Sequence, residues 1–155
     1  ICFSYLTKGV YGMKKLLLIA IAALTFTGCA TTQAQNYQFD KSRTYNSSFD
    51  DVWSNLVQWH AEKNIPISNI DKDSGLIVAE SSGFSDELAS CSSSPLVVQL
   101  AKKAKLNTLV QQKDNVKVTV NTQFLQRVSL LDEVQTVPCN STGVLEKTIL
   151  DALES

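Results

Sequence analysis

The chain has 155 residues, with 14 basic against 15 acidic side chains, a net charge of −1, 44% hydrophobic residues and 19% charged ones. This balance excludes a disordered or collagen-like chain, and without a basic surplus there is no compositional case for a nucleic-acid binder. The length suits a single domain.

Residues 1–12, ICFSYLTKGVYG, precede Met13 and are expected to be an upstream extension that takes no part in the fold. From Met13 the pattern changes. Met13-Lys14-Lys15 is basic, Leu16 to Phe26 is an apolar run broken only by Thr25, and Thr27-Gly28-Cys29 closes it with small residues. These are the parts of a secretory signal. The run stops short of the roughly 20 apolar residues that a membrane-spanning helix needs.

Phe26-Thr27-Gly28-Cys29 resembles the lipobox of bacterial lipoproteins, with Phe26 where that family usually carries Leu or another aliphatic residue. The resemblance implies that 13–28 is a signal peptide and that Cys29 is the lipidation site, carrying acyl chains such as palmitate. Ala30, rather than Asp, after the cysteine implies the periplasmic face of an outer membrane. The membrane is then the first partner, held through a lipid anchor, and several acyl chains exceed the two-signal threshold for stable attachment. Removal of 1–28 takes away Lys8, Lys14 and Lys15 and no acid, leaving 11 basic and 15 acidic groups, net −4. Such a domain has no electrostatic reason to seek anionic lipid or nucleic acid.

Processing would also remove Cys2 and modify Cys29, which leaves Cys91 and Cys139. Two thiols in an oxidising compartment most simply form a disulfide. Closing the intervening loop would stabilise the fold by roughly 4 kcal/mol in the chain-entropy model. Metal ligation together with His60, or free thiols, are the competing readings.

Residues 29–38 are polar and aperiodic and are expected to be a lipidated tether, with a single α+β domain over 39–155. Phe39 to Tyr45 suggests a first strand. Ser48 is a natural N-cap, with Asp50 and Asp51 in the first turn. Phe49, Val52, Trp53, Leu56, Val57 and His60 recur at helical spacing, and Asn64-Ile65-Pro66 ends the helix. Pro66–Ile70 and Leu76–Ser81 flank Asp71-Lys72-Asp73-Ser74-Gly75 and predict a β-hairpin. Leu76 to Ala79 is apolar on both alternating faces, as in a central strand.

Gly83 to Pro95 is Ser-rich loop. Leu96, Val97, Leu100 and Ala104 predict a helix near 95–103, and Leu106, Thr108 and Val110 a strand near 105–111. After a turn at Asp114-Asn115, Val116 to Phe124 alternates as a half-exposed antiparallel strand. Gln126 to Pro138 is loosely strand-like. Ser141-Thr142-Gly143 then leads into a closing helix marked by Val144, Leu145, Thr148, Ile149, Ala152 and Leu153, with Ser141 or Thr142 expected to cap it.

Few residues suggest chemistry. His60 is the single histidine, in mid-stripe, where a packed imidazole is commoner than a catalytic one, and no G-x-S-x-G nucleophile motif is present. Asp71–Gly75 opens like a calcium loop but lacks Gly at position 6 and Glu at position 12, so it reads as a turn. Trp53 belongs to the helical stripe, whereas Trp59 falls on its margin and is the better candidate for a contact surface. Lys102, Lys103 and Lys105 read as a solvated face rather than an anion site.

Two segments, Ser48–Trp53 through Asp71–Val78 and Cys139–Glu146, are similar to patterns in small envelope lipoproteins. The group resembles the BamC family of barrel-assembly lipoproteins. The resemblance implies a helix-grip-like α+β fold, an antiparallel sheet against an N-terminal and a C-terminal helix. It supplies no catalytic residue, metal or cofactor. The expected function is a non-enzymatic binding or scaffolding module with envelope proteins as partners, and the alternative is a ligand carrier or enzyme using a groove near His60.

Overall fold

The structure is a computed structural model that describes residues 31–154. The extension at 1–12, the signal segment at 13–28 and Cys29 lie outside the described residues. Helix α1, Phe49–Glu62, starts as its sequence dictates: the Ser48 Oγ accepts the Asp51 N–H at 3.1 Å. It buries Val52, Trp53, Leu56, Trp59 and His60. The chain leaves it through Asn64 at φ 53°, a conformation Asn tolerates better than most residues.

The remaining elements are β1 (Ser42–Tyr45), β2 (Ile67–Asp71), β3 (Leu76–Ser81), β4 (Ala89–Ser90), β5 (Val98–Gln112), β6 (Val116–Leu130), β7 (Glu133–Ser141) and helix α2 (Val144–Ala152). All strand pairs are antiparallel, in the order β2-β3-β5-β6-β7-β4 with β1 also on β6, so the class is α+β. The expected hairpin is β2–β3. Its turn works through Asp71, whose Oδ1 accepts the N–H of Asp73 and of Ser74. Gly75 is required there twice over, because φ is 69° and a Cβ would stand 2.0 Å from the Val110 carbonyl oxygen.

Strands β5 and β6 are fifteen residues each and serve two regions. In the body, Leu106, Thr108 and Val110 alternate inward from β5, and Val116, Val118 and Val120 from β6. These meet Ile77, Ala79 and the buried faces of α1 and α2 in the main core. Tyr45 joins this core and its hydroxyl donates to the Leu150 carbonyl at 2.7 Å, which fastens β1 to α2. Leu76 and Val78, on the other face of β3, are half-buried.

Beyond β3 the ribbon continues as an arm: Val98–Lys103 pairs with β6 on one edge, and Phe124–Leu130 carries β7. Here one expectation fails. No helix forms at 95–103; residues 98–103 are the first part of one strand that also absorbs 105–111. The register slips between Gln99 and Ala101, a bulge that breaks the period of two and leaves Leu96, Val97, Leu100 and Ala104 with a spacing that imitates a helix. The strand-like stretch 126–138 is the end of β6, a turn at Leu131-Asp132, and most of β7.

A smaller cluster of Ala89, Ala104, Phe124 and Cys139, with Phe84, Leu88, Cys91 and Leu145 against it, seats the Ser-rich loop on the base of the arm. Residues 31–38 contain no helix or long strand, yet they do not hang free. Thr32 and Ser93 exchange two backbone hydrogen bonds of 3.0 Å. The Ala34 N–H donates to Ser92 Oγ and the Gln35 N–H to Ser90 Oγ, and the Asn36 side chain accepts from Asn140.

Candidate functional site

Cys91 and Cys139 lie at disulfide distance, Sγ–Sγ 1.99 Å and Cα–Cα 4.3 Å. They join the Ser-rich loop to the end of strand β7, and the residues after Cys139 complete a junction of four chain segments. Asn140 and Ser141 pair with Ser90 and Ala89. Thr142 donates its hydroxyl to the Glu87 carbonyl at 2.6 Å and its N–H to that of Leu88 at 3.1 Å. Gly143 has φ 86°, and a Cβ would come within 2.4 Å of the Phe39 ring. The segment Cys139–Glu146 therefore has a structural use at nearly every position.

Glu146 is fully buried in this junction. Its carboxyl group accepts hydrogen bonds from Thr122 Oγ1 on β6 and from Ser141 Oγ at 2.9 Å, and Ser141 Oγ in turn accepts the Gly143 N–H at 3.1 Å. The N-cap of α2 is Gly143, without a side-chain cap of its own, rather than Ser141 or Thr142. Thr142 Oγ1 reaches only the first helical N–H, at 3.5 Å. Reading by apolar periodicity passed over Glu146. The signal for it was an acid at the third helical position, where a carboxyl group can serve the helix start.

His60 is fully buried. Its Nδ1 contacts the Leu56 carbonyl at 2.8 Å, so this nitrogen carries the proton and donates it, while Nε2 has no hydrogen-bond partner. Trp59 meets the ring edge-on at 5.2 Å. Burial pushes the imidazole pKa below its ordinary 6.5, only partly offset by the bond to Leu56. Cys91 and Cys139 belong to the other cluster, so no joint site with His60 exists. Among the described residues no group of three or more His, Cys, Asp or Glu could hold a metal ion. Among the described residues Thr108 Oγ1 is the other buried side-chain atom without a partner.

The remaining candidates resolve into packing and pairing. Trp53 and Trp59 are both buried, 6% and 7% exposed, so the margin position of Trp59 is core rather than contact surface. A groove of about 670 Å³ runs between the helices over Trp59, with Asn55, Gln58, Glu62, Lys63, Thr148 and Asp151 around it. The lysines do not act together. Lys102 pairs with Asp86 and lies 5.1 Å from the centre of the Phe84 ring, while Lys103 and Lys105, on the other face, share Glu80 at 2.9 and 3.9 Å. Among the described residues no helix is long and apolar enough to cross a membrane. In comparison with known proteins, no family model and no curated sequence matches this chain.

Proposed function

We propose that this chain is a lipid-anchored envelope lipoprotein, attached through Cys29 to the periplasmic face of an outer membrane, whose helix-grip-like domain acts as a non-enzymatic binding or scaffolding module for envelope proteins. The observation that carries the non-catalytic reading is the use made of buried polar side chains. Glu146 closes the α2 junction, and the hydrogen bond His60 makes is to its own helix. The anchoring half rests on the Met13–Cys29 pattern and is supported by the paired cysteines, which suit an oxidising compartment.

Mass spectrometry of protein purified from its native membrane tests the anchor. The expected product begins at a lipid-modified Cys29, and an unmodified Cys29 on native protein refutes the assignment. Crosslinking in intact cells then identifies what the domain contacts. A small molecule retained in the groove over Trp59 would instead favour the ligand-carrier reading.

A further inference from the structure

Among the described residues six of the nine exposed large apolar side chains gather at one place, while Tyr37, Ile70 and Val144 stand apart from them. Leu96, Val98, Leu100, Leu130, Leu131 and Val134 all lie at the far end of the arm. Register sets Val98, Ser129 and Val134 in one row across β5, β6 and β7, with Leu130 and Leu131 in the adjoining turn. Leu131 is 91% exposed at φ 49°, and Asp132 follows at φ 66°. Two successive positive φ values belong to a type I′ hairpin turn, which Asn, Asp and Gly fill readily and Leu does not. A leucine held in a disfavoured conformation with its side chain in water gains nothing inside this molecule, and strain of that kind points outward to function.

The described chain starts at the same end. Thr31, Thr32 and Gln33 share a hollow on the inner face of the arm with Val128, Leu130 and Val137. Cys29 precedes Thr31 by two residues, and two residues of chain reach about 7 Å at most. On the lipid-anchor reading, on which this inference rests, the acyl chains leave the protein beside the arm tip. We propose that the arm tip is a second membrane contact, with Leu131 and the apolar side chains around it dipping into a zwitterionic lipid surface next to the anchor. Asp132 and Glu133 stand in the same turn, while Lys103 and Arg127 lie farther back on the ribbon. The two carboxylates keep the tip shallow, at the headgroup boundary, and disfavour an anionic surface.

The test uses the full lipidated chain in vesicles of phosphatidylethanolamine and phosphatidylcholine, with an environment-sensitive fluorophore on Leu131→Cys or, as a reference, on Asp114→Cys in the turn between β5 and β6. Leu131 makes no buried contact, so its replacement leaves the fold intact. The expected result is a blue shift and loss of emission to a nitroxide-bearing lipid for the probe at 131 but not at 114, weakened when phosphatidylglycerol replaces part of the lipid. Protein that floats with the vesicles while the probe at 131 is quenched only by aqueous iodide overturns the tip contact and leaves the anchor standing. A probe shielded from both quenchers means a protein partner or a second copy covers the tip, and overturns it too. Protein that does not float overturns the anchor and the tip contact together.

Discussion

Single residues carry three tests. Gly75→Ala forces a side chain into the Val110 carbonyl at φ 69° and is expected to cost about 1–3 kcal/mol from the backbone conformation alone, read as a lower urea midpoint at unchanged slope. Leu131→Asn places a residue suited to positive φ in the arm turn and is expected to raise stability by up to about 1 kcal/mol, with the gain confined to this position. His60 makes stability depend on pH. Its pKa is lowered in the folded protein, so the unfolded chain takes the proton first. Stability is therefore full above the unfolded value of 6.5 and is lost as pH falls from there toward the folded pKa, by up to about 1.4 kcal/mol per pH unit. His60→Leu removes both the buried unpaired nitrogen and this dependence, which denaturant curves from pH 5 to about 8 would show. If His60→Leu retains the slope, the source lies elsewhere.

At the scale of elements, what could be read in advance followed how local the determinants are. The cap at Ser48, the stripe to His60 and the Asp71–Gly75 turn act within a few residues, and α1 and the β2–β3 hairpin are where the pattern placed them. The β5 side of the arm was illegible because its partner strand, not its own periodicity, makes Val98–Lys103 extended, and a bulge disguises the alternation. The α2 junction was half legible. The cysteine pair follows from arithmetic on thiols, whereas Glu146 depends on Thr122 from a distant strand. Breaking the cysteine link tests how far that junction depends on it. The Cys91→Ser/Cys139→Ser double variant is expected to lose roughly 4 kcal/mol in the chain-entropy model. It is also expected to expose 31–38 to proteolysis, because Ser90, Ser92 and Ser93 position that segment. Equal urea midpoints for the oxidised, reduced and doubly substituted proteins would show that the link contributes nothing to stability.

Across the whole molecule, stability is expected to grade from body to arm. The body strands lie under two helices, while the arm is a three-stranded ribbon with exposed side chains at its end. Amide hydrogen exchange of the free protein should be slowest at Leu106–Val110, Val116–Val120 and Leu56–His60, and fastest at Leu130–Val134. Uniform protection along β6 would contradict that gradient.

The uncovered edge of β5 bears on how the chain avoids itself. Among the described residues no strand pairs with that edge at Val98–Lys103, and a flat apolar edge of this length invites another chain to add on. Two features of the same segment oppose this: the slip between Gln99 and Ala101 bends the ladder, and Lys102 and Lys103 put charge beside the open backbone groups. Straightening the strand by deleting Leu100, or exchanging the two lysines for valine, would turn a guarded edge into a template for aggregation. The bulge that makes the segment hard to read as a strand is thus also expected to hinder growth into fibres, which thioflavin fluorescence of concentrated protein with and without Leu100 would check.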